Sequence, residues 1–347
     1  MKHLFITGAS GFIGKHIVDQ FLDHNWHITA LIHKSKPEGL EYPADYTHLE
    51  YVHGDITDFE SMRNAFIAGN KQYDAVVHCA GRASDVGWRR EFRRANLDSV
   101  KHLVQLTKQL DIAKFVFIST TDVYGLLDFN GEAEEELRTI PHPANPYPEF
   151  KILAEEHIRA ELPLNRFSVL RPAQVWGPGD TTLTKRIVDF LKWSPFIVHF
   201  GKWRGGNRWP LAHVYNVATA AYLATTLDEA CGQAINVVDN ETTSIDDFYR
   251  IATRIFLPEK KFRTVVLPFP IGWIIGSVVS GISNIFNMNH PFMDPSLYAL
   301  YSVSRNLDFN NDKLKTLFDI AGSTIFTRKE GIRELRHIHG KGRLEIR

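Results

Sequence analysis

Short apolar runs alternate with amphipathic stretches through the first half of the chain. Residues 4–7 read as a strand, 12–24 as a helix and 28–32 as a second strand. A turn-rich stretch leads to a third strand at 51–53, helical spacing at 59–68 and a short apolar strand at 75–79. Residues 92–110 have helical spacing, and 115–119 form the next strand. An acidic, loop-like stretch at 131–148 breaks this rhythm before a helix at 147–161 and a strand at 167–170. Strands that are apolar throughout, each followed by a helix, predict a parallel sheet covered on both faces. Beyond residue 171 the pattern is mixed and ends in a helix-rich tail, with no repeat and no low-complexity linker. The expected division is therefore 1–171 for the α/β unit and 172–347 mainly for a second unit, with some segments returning to the sheet.

One stretch departs from the ordinary pattern. From Thr264 to Met293 there is no Asp, Glu, Lys or Arg. Pro268 and Pro270 place the start of any helix near residue 270. From there Ile271, Ile274, Ile275, Val278, Ile282, Ile285 and Phe286 recur at helical spacing, with Gly272, Gly276, Ser280, Ser283 and Asn284 on the other side. The simplest expectation is that the large apolar residues form the core face. The alternative is peripheral membrane contact through residues 270–288. The early break and the small polar residues argue against a true span.

Composition narrows the classes. The 347 residues carry 40 Lys and Arg against 40 Asp and Glu, so no net charge argues for a nucleic-acid partner. Two basic clusters, Arg89, Arg90, Arg93 and Arg94, and Lys202, Arg204 and Arg208, read as solvated faces. Two distant cysteines, Cys79 and Cys231, imply neither a disulfide framework nor a metal site and suit a reducing compartment. The chain opens on a strand pattern rather than a leader, so the expected location is the cytoplasm, with membrane association as the open alternative.

The first strand runs into Thr7-Gly8-Ala9-Ser10-Gly11-Phe12-Ile13-Gly14, a G-x-x-G-x-x-G spacing between strand and helix. Gly8 permits a tight turn, Gly11 lets the backbone approach a pyrophosphate, and Gly14 lets helix and strand pack closely. The helix that opens there offers N–H groups to an anion. The second strand ends in Ile32 where an acid would bind ribose hydroxyls and favour NAD. His33, Lys34 and Lys36 follow, and cations welcome a 2′-phosphate. NADP(H) is the expected cofactor, with NAD(H) the alternative. Asp55, with Ile56 after it, closes the third strand and is placed either to meet the adenine or to cap a helix.

Tyr147 and Lys151 are four apart at a helix start and share one face. A phenol with a reference pKa near ~10 becomes a useful acid or base beside an ammonium and an oxidised nicotinamide. Together with the glycine motif, His78-Cys79-Ala80-Gly81, Ile118-Ser119-Thr120-Thr121-Asp122-Val123-Tyr124-Gly125, Tyr147-Pro148-Glu149-Phe150-Lys151, Leu170-Arg171-Pro172 and Val175-Trp176-Gly177-Pro178-Gly179-Asp180 fall in one order. In this the chain resembles the extended short-chain dehydrogenase/reductase family, within the NAD-dependent epimerase/dehydratase superfamily. The resemblance implies an α/β fold: a Rossmann-type, doubly wound parallel sheet with a smaller mixed C-terminal substrate domain. It further implies that Tyr147 handles the proton on the substrate oxygen and Thr120 hydrogen-bonds that oxygen. Lys151 would hold the nicotinamide ribose and depress the tyrosine pKa. Asn96 would support a relay water, or else be a helix-surface amide. Ser10, Phe12, Ile13, Cys79, Ala80, Gly81 and Pro172 would line the cofactor, and a homodimer would form through helices around 96–110 and 147–161. Phe150 departs from the family's usual small residue and either repacks the helix or narrows the site.

The branch within the family rests on fewer residues. Sugar-nucleotide enzymes would need an asparagine where Gln174 stands and an arginine where Trp209 stands, with Arg208 one residue off. The 3β-hydroxysteroid dehydrogenase and dihydroflavonol-reductase-like branch suits Arg171-Pro172, Asn216-Val217-Ala218 and the apolar stretch after Val265. Trp203, Trp209, Phe269, Trp273 and Phe292 then either receive a hydrophobic alcohol or ketone or fill the second domain's core. The expected activity is hydride transfer between NADP(H) and a hydrophobic, sterol-like secondary alcohol or ketone. The alternatives are a nucleotide-sugar epimerase or dehydratase retaining NAD and, third, a non-catalytic NADP sensor.

Overall fold

The computed structural model describes residues 1–33, 48–68, 71–134, 136–141, 143 and 145–340. Lys34 and Lys36 lie outside the described residues. The first strands and helices are β1 (His3–Thr7), α1 (Phe12–Asp23), β2 (His27–Ile32), β3 (Leu49–His53), α2 (Phe59–Ile67) and β4 (Ala75–His78). A short α3 (Arg89–Arg93) passes through a π-turn (Arg94–Asp98) into α4 (Ser99–Gln109), so the expected helix at 92–110 is interrupted. Then follow β5 (Lys114–Ile118), α5 (Pro146–Glu161) and β6 (Phe167–Pro172).

These strands and one later arrival form a seven-stranded parallel sheet. Its order is β3-β2-β1-β4-β5-β6, closed by β10 (Ala234–Val237) beside β6. Before β10 come β7 (Gln174–Trp176), α6 (Leu183–Trp193), β8 (Phe196–Phe200), β9 (Leu211–His213) and α7 (Val214–Thr226). After it come α8 (Ile245–Phe256), β11 (Arg263–Leu267), α9 (Phe269–Ile285), α10 (Leu297–Ser304), α11 (Asp312–Ile320) and α12 (Arg328–Gly340). β8 pairs with β11 and β7 with β9, each parallel.

The strands are apolar throughout because successive residues serve opposite layers. Leu4 and Ile6 join Ile17, Phe21 and Val217 in one core, while Phe5 joins Met62, Phe66 and Leu103 in the other. The same alternation repeats in Val116 and Ile118 against Phe115 and Phe117. The order reverses between β1 and β4, and a crevice opens there at the carboxyl ends of the strands.

Helix α9 inverts the expected orientation. Its small residues are the packed face: Gly272, Gly276 and Ser283 are buried with Val279. A Cβ on Gly272 would lie 2.6 Å from Phe200, and one on Gly276 would lie 3.0 Å from the backbone of Leu297. The large residues face outward: Ile274 is 59 % exposed, Val278 55 % and Ile285 72 %. Close backbone approach, rather than bulk, decided which side docks. No helix among the described residues is long and apolar enough to cross a membrane.

Candidate active site

The cofactor crevice begins with the loop after β1. Gly8 has φ +77°, and a Cβ there would meet Ala80 N at 2.6 Å. A Cβ on Gly14 would lie 2.0 Å from Gly8 O, so both positions require glycine. Gly11 caps α1 without a side-chain bond, and no acidic residue stands in the first turn. The positive end of the helix and its N–H groups therefore suit a pyrophosphate. Thr7 Oγ1 bonds His78 Nδ1 at 2.6 Å and accepts from Ala80 N at 3.3 Å, which ties the switch-point strands together under the loop. Burial, and then the Lys151 charge, lower the His78 pKa to about 3, so its ring is neutral.

One cavity of about 1040 Å³ runs from this loop to the second region of the chain. Gly8, Ser10, Gly11, Phe12, Ile13 and Gly14 line its end at the glycine loop. His33, Asp55, Ile56, Cys79, Ala80 and Gly81 line it as well. Ile32 is buried and is not part of that wall; the exposed His33 is. Asp55 does not cap α2: its Oδ1 accepts from Thr57 N and Oγ1, both at 2.8 Å, and Asp58 is the cap. Pro172 is buried behind the wall, which its neighbours Ala173, Gln174 and Val175 form. Burial raises the Cys79 thiol to about 11, so it stays protonated.

Thr120 follows β5 and caps a 3₁₀ turn, its hydroxyl accepting from Asp122 N at 3.2 Å. Asn145 caps α5 by accepting from Tyr147 N at 2.7 Å, with Pro146 in the first turn. This cap aims Tyr147 into the cavity that Thr120 also lines. One turn on, Lys151 is 4 % exposed and its Nζ donates to Ile118 O at 2.7 Å. Burial lowers its pKa to about 8.

Two expectations are corrected here. In the chain itself the Tyr147 pKa is raised, not depressed: burial, and then the charge of Asp122, push it up and outweigh the Thr120 hydroxyl, which lowers it. Lys151 Nζ lies 5.9 Å from the phenol ring centre and gives one of its three N–H groups to the Ile118 carbonyl. Asn96 is not a surface amide. The π-turn drives it inward, 1 % exposed, where its Oδ1 accepts from Arg82 N at 3.0 Å and its Nδ2 donates to Arg82 O at 3.1 Å. It clamps the loop that carries Gly81, where a Cβ would lie 2.6 Å from Asn96 Oδ1 and 3.6 Å from Lys151 Nζ. Phe150 packs in the core with Ala154 and Ile158, so it leaves the site unchanged.

Several residues at the site had no sequence signal. Asp122 accepts from Tyr298 OH at 2.6 Å, and burial raises its carboxyl pKa. Arg186 Nη2 donates to Asp85 Oδ2 at 2.8 Å and the guanidinium also grips Asp294. These partners lie about a hundred residues away, beyond any local motif. Glu155 was findable, since it stands four residues after Lys151 on the same helix face. It accepts from Ser119 Oγ at 2.6 Å and pairs with Arg171, fixing the strand ends beneath Thr120. Apolar side chains from four elements, Ile187, Val198, Leu267 and Ile275, and Trp209 from the segment before β9 complete the distal wall. Arg208 instead turns to the surface and pairs with Asp308.

The model of the NAD dependent epimerase/dehydratase family matches residues 4–237. A sterol-4-alpha-carboxylate 3-dehydrogenase (decarboxylating) of Candida albicans is 25% identical over 317 residues, covering 85% of this chain and 86% of that protein. A ketoreductase of Stigmatella aurantiaca, named for a farnesyl dihydroquinoline-oxide, is 23% identical over 96% of this chain and 95% of its own length. Among solved structures, dTDP-glucose 4,6-dehydratase from Bacillus anthracis, in complex with NAD, superposes with a TM-score of 0.72 at 20% identity, covering 98% of this chain and 97% of that one.

Proposed function

Because the chain belongs to the NAD-dependent epimerase/dehydratase family and its relatives are dehydrogenases and reductases, we propose that it interconverts a hydrophobic secondary alcohol and its ketone with a nicotinamide cofactor. The observation that carries this reading is the meeting of Thr120, Tyr147 and Gly81 in one cavity with the glycine loop and an apolar distal wall, with the buried Lys151 Nζ directly behind Gly81. The bound dinucleotide supplies or accepts the hydride. Thr120 holds the substrate oxygen, and Tyr147, protonated by virtue of its raised pKa, gives that oxygen its proton during reduction. Lys151, cationic below about pH 8, would hold the cofactor ribose and stabilise the phenolate left behind. NADP(H) is the proposed form, because His33 lines the adenosine end where an acid would select NAD.

Tyr147→Phe tests the reading. Turnover of apolar ketones should fall by roughly 10²–10⁴-fold, the ordinary worth of a positioned general acid, while cofactor affinity stays within a factor of about two. Wild-type turnover by the variant would remove Tyr147 from the chemistry. The surface placement of Arg208 disfavours the sugar-nucleotide alternative, which needs a cation at a diphosphate.

A second reading rests on the outward face of α9. Trp273, Ile274, Val278, Ile285 and Phe286 form an exposed apolar stripe of a kind that marks an interaction surface. Trp88, 41 % exposed, donates from Nε1 to Asn284 O at the end of this helix, and Arg90 stacks over its ring at 4.3 Å. An apolar stripe beside a tryptophan and a cation suits an anionic lipid surface. Ile275 and Met293 meanwhile face the cavity, so an apolar substrate leaving lipid would enter past this helix. The chain should float with anionic vesicles, and Ile274→Ser/Ile285→Ser should not. Failure of the wild type to float, or its pairing through this stripe into a dimer that the double variant dissolves, would refute lipid contact.

A further inference from the structure

The distal half of the cavity carries more carboxyls than cations. Among the described residues lining it, Arg186 is the only cation, and three carboxyls face the same space: Asp85, Asp122 and Asp294. The guanidinium is already committed. Nη2 donates to Asp85 Oδ2 at 2.8 Å, Nε donates to Asp294 Oδ2 at 3.2 Å, and Nη2 also reaches Asp294 Oδ1. Ser296 Oγ donates to the same Asp85 oxygen at 2.6 Å, and Asn145 Nδ2 donates to the Asp85 backbone carbonyl at 2.8 Å. The arrangement is therefore braced by the loop after β4, by α6, by the start of α10 and by the cap of α5. Asp122 stands at the junction with the reacting hydroxyls and accepts from Tyr298 OH at 2.6 Å. An anionic group entering here would have to strip a carboxylate from Arg186 or lie unpaired among acids in an apolar enclosure. Both carry a desolvation or repulsion cost that an uncharged molecule avoids.

We propose, resting on the alcohol–ketone reading above, that the substrate presents no anionic group to this end of the cavity: it is an uncharged apolar alcohol or ketone, and carboxylates, sulfates and phosphates of the same skeleton are rejected. The acids act as a charge filter and Arg186 as their internal counter-ion, not as a receptor for a substrate anion. The remaining lining supports the same class, since Ile187, Val198, Trp209, Leu267 and Val303 offer apolar contact around a polar tip at Thr120 and Tyr147.

The test is equilibrium dialysis of the full chain, saturated with NADP⁺, against two probes on one skeleton: a neutral ketosteroid and its carboxylate derivative. The neutral probe should bind at least about tenfold more tightly, a difference of about 1.4 kcal/mol. Asp85→Asn and, separately, Asp122→Asn should each narrow that ratio by admitting the anion. Equal or tighter binding of the carboxylate by the wild type overturns the proposal, and so does retention of neither probe. Turnover is read apart from binding, from nicotinamide absorbance with the reduced cofactor. A neutral probe that binds selectively but is never reduced defeats the alcohol–ketone reading and leaves the charge filter standing.

Discussion

The Glu155–Arg171 pair is the most heavily loaded polar contact beneath the candidate active site, and removing one partner gives a quantitative test. Glu155 lies on the face of α5 that carries Lys151, and Arg171 lies in β6. Their side chains are 3 % and 8 % exposed. Arg171 Nε donates to Oε1 at 3.0 Å and Nη2 to Oε2 at 2.5 Å, while Nη1 donates to Tyr124 OH at 2.8 Å. Glu155→Ala leaves a buried guanidinium without its counter-charge, which costs roughly 3–5 kcal/mol. It also orphans Ser119 Oγ, worth about another 1 kcal/mol. With an unfolding entropy of roughly 2.1 cal/mol/K per residue, 347 residues give about 0.7 kcal/mol/K, so a loss of about 5 kcal/mol lowers the melting temperature by about 7 °C. Calorimetry and urea titration of the wild type, Glu155→Ala and the double variant Glu155→Leu/Arg171→Met measure this. The double variant should recover most of the loss, since no charge is then left buried alone. A single variant melting within about 1 °C of the wild type would refute the reasoning. So would a double variant no more stable than the single one.

Three further outcomes follow from the site. Gly14→Ala places a Cβ 2.0 Å from Gly8 O and should abolish dinucleotide binding in a fluorescence titration with NADPH and NADH, whereas Gly281→Ala, with nothing within 4 Å, should leave it intact. In the wild type the same titration should show tighter binding of NADPH, and the reverse order would remove the NADP preference. The rate should fall as pH rises through about 8, because Lys151 is charged below its lowered pKa and neutral above it; a rate flat to well above that pH would mean that the ammonium is not needed.

The nucleotide-binding half was legible because its signals are local. Continuous apolar strands, helical spacing and a glycine triplet between them are set by residues within a few positions of one another. The helix bearing Tyr147 and Lys151 could be read the same way, and Asn145-Pro146 even marks its start. Asn96 was seen but its surroundings were not, since the π-turn that buries it depends on packing against α5 and on the loop at Arg82.

The sequence by itself determined the parallel sheet and the glycine loop, and it set Tyr147 and Lys151 one turn apart on one helix; Thr120 entered through the family resemblance. Tertiary structure alone decided which side of α9 docks, because periodicity reveals a stripe but cannot say whether bulk or close backbone approach wins. It also decided the direction of the Tyr147 pKa, through burial and the proximity of Asp122. Likewise it decided the charge of the distal cavity, where Asp85, Arg186 and Asp294 meet. Electrostatics and desolvation depend on distance in space, and these partners are separated by about a hundred residues of chain.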